Sequence, residues 1–105
     1  AVARGIVVVE AAGNGGEDLD AFTNAAGRQI LDRTHPDFRD SGAIMCGAST
    51  SAAPHERMGF SNFGTRIDCY AWGENVTTCG YGDLDDGAGD ADRRYTDTFS
   101  GTSSA

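Results

Sequence analysis

The feature that most constrains the fold is a continuously apolar, β-branched segment near the start of the chain, Ile6-Val7-Val8-Val9. A strand covered on both faces, as in a parallel sheet between two other layers, has this composition. The segment Ser41–Ala48 is a second candidate of the same kind. Such strands, separated by long connections, favour an α/β domain with a parallel sheet over an all-β sandwich.

The rest of the chain divides into short elements and loops. Ala1–Arg4 has the pattern of a helix end that stops at Gly5. Residues 21–42 show neither a helical nor a strand period and predict a surface excursion. Three further segments are predicted as strands: Met58–Phe63, Arg66–Gly73 and Tyr95–Phe99. No repeat or linker divides the chain, so 105 residues predict one unit.

The charge balance excludes some classes of partner. The net charge is −8, and all eight basic residues are Arg. A chain this acidic is poorly suited to contact phosphates, so no nucleic-acid partner is expected. No apolar run approaches the ~18 residues that a membrane span needs, and no membrane span is expected.

Six aspartates crowd into residues 83–97: Asp83, Asp85, Asp86, Asp90, Asp92 and Asp97. A solvated acidic loop is the simpler interpretation. Calcium is the alternative, because carboxylates and loop carbonyls suit a hard cation. The spacing lacks the EF-hand pattern, so no metal ligand is assigned.

The three cysteines, Cys46, Cys69 and Cys79, are an odd number and exclude a fully paired disulfide framework within the chain. Cys46 lies in an apolar segment and is predicted to be a small buried hydrophobic residue. Cys69 and Cys79 are ten residues apart. That spacing allows a disulfide between them without requiring one.

Two short segments at opposite ends of the chain carry residues suited to catalysis. Ala11-Ala12-Gly13-Asn14-Gly15-Gly16 puts one Asn into a glycine turn directly after the first predicted strand. A neutral amide N–H can stabilise the negative charge that develops on a carbonyl oxygen during acyl transfer. The carboxyl end of a parallel strand is also where α/β sheets carry their sites. An ordinary Asn-Gly turn would have the same sequence.

Gly101-Thr102-Ser103-Ser104-Ala105 provides a candidate nucleophile, Ser103. A serine hydroxyl needs an adjacent base, and a helix beginning at this point would add a favourable dipole and a backbone N–H. A helix N-cap or a polar chain end is the alternative interpretation.

Together, these segments resemble the C-terminal half of the catalytic domain of subtilisin-like serine proteases (subtilases). The resemblance covers nearly the whole chain, through Gly5–Gly16, Ser41–Ser49, Phe60–Gly73 and Gly101–Ala105. It implies a Rossmann-like three-layer fold with a parallel sheet and an endopeptidase acting on polypeptides.

The resemblance also implies roles for individual residues. Ser103 would be the nucleophile, and Asn14 and the backbone N–H of Ser103 would be the oxyanion donors. Ala11, Ala12 and Gly13 would line one wall of the substrate pocket.

Two motifs of the family are missing. The chain has no Asp-Thr-Gly or Asp-Ser-Gly segment and no His-Gly-Thr-His segment, and His35 and His55 match neither. We therefore expect residues 1–105 to be a partial peptidase domain, inactive alone, with the catalytic Asp and His upstream and the nucleophile's helix downstream. The parent protein would be secreted or otherwise extracytoplasmic.

Two other classes of function stay open. One is a non-catalytic scaffold or binding module that keeps the subtilase architecture without its chemistry. The other is a structural domain stabilised by calcium at residues 83–97. Nothing in the sequence indicates an oligomeric state.

Overall fold

The computed structural model describes all 105 residues. Strands β1 (Val9–Ala11), β2 (Ile44–Ser49) and β3 (Cys69–Trp72) form a parallel sheet in the order β1-β2-β3. Strands β4 (Val76–Cys79) and β5 (Tyr95–Phe99) form a separate antiparallel pair. Helical structure consists of four 3₁₀ turns, at Val2–Arg4, Leu19–Ala21, Gly87–Gly89 and Ala91–Arg93. None of these helical segments has the length and apolar character needed to cross a membrane.

Strand β2 is the centre of the parallel sheet and its most buried element. Val9 pairs with Ile44 on one side, and Cys46 pairs with Cys69 on the other. Residues 46–49 of β2 are all buried, and Ala48 has no exposed surface. The predicted parallel sheet is confirmed, and the architecture is consistent with part of an α/β domain. Because the strands are parallel, the loops that follow β1 and β3 both leave the sheet at the carboxyl ends of its strands.

The prediction that Ile6–Val9 is a strand buried on both faces is wrong. Strand β1 begins only at Val9, and the side chains before it are open to solvent, with Ile6 54% and Val7 75% exposed. The physical reason is position in the sheet: β1 lies at its edge, and no α-helix packs on either face. An apolar β-branched segment predicts a strand. Whether that strand is buried depends on helices or sheets, formed elsewhere in the sequence, that cover it.

The predicted strand Met58–Phe63 is also wrong. The segment turns, with Ser61 donating its backbone N–H to the Met58 carbonyl at 2.9 Å. In contrast, β4 was not predicted, although Val76-Thr77-Thr78 is rich in β-branched residues. Its partner β5 begins only at Tyr95, after the aspartates of residues 83–92, and no local sequence pattern indicates a pairing between such distant segments.

The remaining predicted elements are confirmed, with shorter bounds where they differ. Val2–Arg4 is a single 3₁₀ turn that ends at Gly5. The segment predicted over residues 66–73 contains β3, and β5 has the predicted bounds Tyr95–Phe99. Residues 21–42 run as turns without a strand, as expected of a surface excursion.

Candidate active site

The loop that follows β1 carries the first candidate residue. Ala12 donates its backbone N–H to the Cys46 carbonyl at 2.9 Å, which continues the pairing with β2 by one residue. The chain then leaves the sheet, and Asn14 stands exposed in the turn. The glycine turn is therefore held at the carboxyl end of the parallel sheet, where the sequence places it.

Asn62 holds this glycine turn in place through hydrogen bonds from its side chain and its backbone. Its Oδ1 accepts the backbone N–H groups of Gly15 at 3.1 Å and Glu17 at 2.8 Å. Its Nδ2 donates to the Ala12 carbonyl at 2.8 Å, and its backbone N–H donates to the Gly13 carbonyl at 3.0 Å. One amide side chain thus fixes both ends of the turn. The residues around Asn62, Ser61-Asn62-Phe63-Gly64, give no indication of this role.

Asn14 is joined to the last residues of the chain by Thr102. Asn14 Oδ1 accepts hydrogen bonds from the backbone N–H of Thr102 at 2.9 Å and from its Oγ1 at 2.8 Å. Thr102 Oγ1 in turn accepts the Gly13 N–H at 3.1 Å. Because a backbone N–H can only donate, this contact fixes which side of the amide holds the oxygen. Asn14 Nδ2 donates to no atom of the chain and is free for a ligand.

Ser103 Oγ and this amide lie near each other around Gly101. Gly101 donates its N–H to the Gly73 carbonyl at 2.9 Å, which ties the turn to the end of β3. A methyl group placed on Gly101 would lie 3.4 Å from Ser103 Oγ and 3.5 Å from Asn14 Nδ2, so both polar atoms flank one point. Ser103 is exposed in a turn that Ser104 closes by donating its N–H to the Gly101 carbonyl at 3.2 Å. No helix begins within residues 101–105.

Thus the structure brings together Asn14 and Ser103, which the sequence separates by nearly its whole length. Sequence reasoning missed Thr102 and Asn62 as the residues that hold them, although both lie inside the motifs that were recognised. A side chain at position 101 would occupy the space between Asn14 Nδ2 and Ser103 Oγ. Gly101 also has a φ of 152°, a backbone conformation that side chains rarely adopt.

The role of Ala11, Ala12 and Gly13 as a wall of the substrate pocket stays a prediction. None of the three lines a cavity of the structure. The largest cavity has a volume of about 490 Å³ and lies at the carboxyl ends of β2 and β3. Its walls include Ser49, His55 and Trp72.

Neither histidine is placed as a base for Ser103. His35 Nδ1 accepts the backbone N–H of Asp37 at 3.2 Å. His55 Nδ1 bonds the Thr50 carbonyl at 3.1 Å, and its ring stacks on Trp72 with centroids 6.5 Å apart. Neither histidine is hydrogen-bonded to Ser103, the candidate nucleophile.

The aspartates of residues 83–97 mostly serve the local backbone. Asp86 accepts the Ala88 N–H at 2.8 Å and Asp90 accepts the Asp92 N–H at 3.0 Å, capping the two 3₁₀ turns. Hydrogen bonds lower the pKa of Asp83, and the largest contribution comes from the side chain of Thr96. No three His, Cys, Asp or Glu side chains of the structure converge in a geometry that could hold a metal ion. The contacts therefore give the calcium interpretation no support.

A comparison of the sequence with protein families shows the family of the chain. The site places an exposed serine hydroxyl and an amide N–H group without a partner beside Gly101. The model of the subtilase family, Peptidase S8, matches residues 1–105, so the chain belongs to the subtilase family. Searches of curated proteins and of solved structures returned no significant match.

Proposed function

We propose that residues 1–105 are the part of a subtilisin-like serine endopeptidase that carries its nucleophile and side-chain oxyanion donor. Ser103 Oγ attacks the carbonyl carbon of a peptide bond, and the acyl-enzyme is then hydrolysed by water. Asn14 Nδ2 and the Ser103 N–H donate to the oxygen on which negative charge develops. The catalytic Asp and His come from another segment of the same polypeptide, within a three-layer α/β domain of which this chain is the C-terminal half.

One observation carries this proposal: the amide of Asn14 is oriented before any substrate binds. Thr102 occupies Oδ1 with two hydrogen bonds, of 2.9 and 2.8 Å, and leaves Nδ2 directed to the space beside Ser103. A donor that is already oriented needs no reorganisation when charge develops, which is the basis of oxyanion stabilisation. An ordinary Asn-Gly turn has no need for a contact with residues 88 positions away.

A non-catalytic scaffold is the competing function, because it needs no base beside Ser103 and residues 1–105 place none there. His35 and His55 are both engaged elsewhere. Without a base, the hydroxyl of Ser103 is a weak nucleophile. We therefore expect residues 1–105 alone to be inactive, whichever of the two functions the natural polypeptide has.

A fluorophosphonate probe, which reacts with activated serines, separates the two functions. We expect the natural polypeptide that contains these residues to be labelled at Ser103, as read by intact mass and peptide mapping. Residues 1–105 alone should stay unlabelled. The Asn14→Ala variant should be labelled about 100-fold more slowly, the size of effect that loss of such a donor has in subtilisin itself.

Ser103→Ala is the control for the site of labelling, and Ser104→Ala is the matched control for a neighbouring hydroxyl. Ser104 Oγ donates to the Gly101 carbonyl at 2.8 Å and is not directed to Asn14. An unlabelled natural polypeptide would contradict the protease and favour the scaffold. Labelling that Asn14→Ala does not slow would contradict the role of Asn14.

A further inference from the structure

Two cysteines face each other across β2 and β3. Cys46 and Cys69 are direct partners in the parallel register, and their sulfur atoms lie 3.1 Å apart. Both are free thiols, as is Cys79 on β4. Cys46 is buried, as the sequence predicts, and Cys69 contacts it rather than Cys79, the partner that the ten-residue spacing allows.

The register makes these two side chains geometrically suited to a covalent bond. Neighbouring strands run about 4.8 Å apart, within the range of Cα separations that disulfides span. Residues paired in register point to the same face of the sheet, so their Cβ atoms approach without a change in the backbone. Cys79 belongs to the other sheet, where it pairs with Tyr95.

We propose that Cys46 and Cys69 form a thiol–disulfide exchange site whose substrate is a small-molecule disulfide. The thiolate of Cys69 attacks one sulfur of the small disulfide, and the first small thiol leaves. The thiolate of Cys46 then attacks the Cys69 sulfur of the mixed disulfide, and the second small thiol leaves. The protein loses two hydrogens and gains one S–S bond, while the small disulfide is reduced to two thiols.

The environments of the two thiols set this order. Cys69 is exposed and can meet a solute, whereas Cys46 is 7% exposed. The hydrogen bond to the Cys69 sulfur, followed by burial, raises the pKa of the Cys46 thiol to about 11. Cys46 therefore holds its proton more strongly than a free thiol, and the exposed Cys69 is the thiol that attacks first.

The bond would connect the two strands that hold the candidate active site. The Cys46 carbonyl accepts the N–H of Ala12 at the base of the Asn14 turn. Strand β3 continues to Gly73, whose carbonyl accepts the N–H of Gly101 two residues before Ser103. Oxidation would tie these two supports together. This inference does not depend on the proposed peptidase activity.

The test treats the 105-residue chain with oxidised glutathione in native buffer and in urea. Remaining thiols are then alkylated, and disulfides are mapped by mass spectrometry of peptides. In native buffer we expect Cys46–Cys69 to exceed Cys69–Cys79 by at least about tenfold, because the fold presents that pair. In urea we expect Cys69–Cys79 to dominate, because the shortest loop has the lowest closure entropy.

Variants decide between the outcomes. Cys79→Ser should form the same bond as the wild type in native buffer, whereas Cys69→Ser should form no intramolecular disulfide there. Three results would overturn the proposal: a dominant Cys69–Cys79 bond in native buffer, glutathione that stays on Cys69 without release by Cys46, or the same mixture of bonds in native buffer and in urea.

Discussion

At the scale of single residues, the strongest electrostatic feature is a buried arginine. Arg66 is 2% exposed, and its guanidinium donates to Asp68 Oδ2 at 2.7 Å and to the Ala43 carbonyl at 2.8 Å. Asp68 also accepts the Met45 N–H at 2.8 Å and pairs with Arg33. The pKa of Asp68 is lowered to about 2, mainly by the hydrogen bond from the Met45 N–H and to a smaller extent by the two arginines.

This pKa predicts how stability depends on pH. Because the folded pKa lies below the ordinary value of 3.8, the ionised carboxylate stabilises the fold fully above about pH 4. That contribution is lost as the pH falls from about 4 to about 2. Near neutral pH, Asp68→Asn should reduce the free energy of unfolding by about 3 kcal/mol, because Arg66 keeps a buried charge without its counter-ion. Urea denaturation at several pH values measures both effects.

Asp92→Asn is the matched control for Asp68→Asn, because Asp92 is exposed and its carboxylate accepts no hydrogen bond. The difference in stability between the wild type and Asp68→Asn should shrink below about pH 4. A difference that stays constant down to about pH 2 would contradict the assigned pKa.

The sequence predicts the candidate catalytic residues but not the residues that hold the surrounding segments in place. Asn14 and Ser103 were predicted because each lies in a short motif whose chemistry is recognisable from adjacent residues. The clamp by Asn62 and the ion pair between Arg66 and Asp68 depend on which distant backbone groups the fold brings near them. A polar residue in a loop has the same local signature whether it is solvated or holds an active-site turn.

At the scale of elements, the close approach of Gly73 to β2 connects the parallel sheet to the turn that carries Ser103. A methyl group on Gly73 would lie 2.3 Å from the Cβ of Ala48 and 3.2 Å from its Cα. Ala48 has no exposed surface and no side-chain torsion by which to move away. The Gly73 carbonyl also accepts the Gly101 N–H at 2.9 Å.

Gly73→Ala should therefore reduce the free energy of unfolding by about 3 kcal/mol, because the added methyl group overpacks a closed contact. Gly59→Ala is the matched control, since a methyl group there meets no atom within 4 Å. Chemical denaturation of the two variants measures the difference. Equal stability of Gly73→Ala and Gly59→Ala would contradict the close contact of Gly73 with Ala48 of β2.

The strands show which elements local patterns can predict. β2, β3 and β5 were expected, because each has enough apolar or β-branched residues to identify a strand by itself. The misjudged burial of β1 and the unpredicted β4 have a common cause, which is dependence on partners elsewhere in the fold. β1 lacks a covering layer, and β4 is defined by a pairing across the acidic segment.

At the scale of the whole molecule, the chain is extended and leaves much apolar surface in contact with water. Its Cα radius of gyration is 16.7 Å, whereas a compact domain of this length has about 13 Å. Exposed apolar side chains gather beside both edges of the parallel sheet: Ile6, Val7, Val9 and Ile44 near β1, and Tyr70 and Trp72 on β3. An uncovered apolar edge strand is a template for pairing with another chain.

We therefore expect the 105-residue chain to self-associate as its concentration rises, measured by static light scattering. Repulsion from the net charge of −8 opposes this, but six of the carboxylates are confined to residues 83–97. Val7→Lys should reduce association several-fold, because it puts a charge beside the β1 edge without breaking a hydrogen bond. Ala25→Lys makes the same change of charge in an exposed loop and should associate nearly as strongly as the wild type. Equal association of the two variants would show that net charge, and not the β1 edge, controls contact between chains.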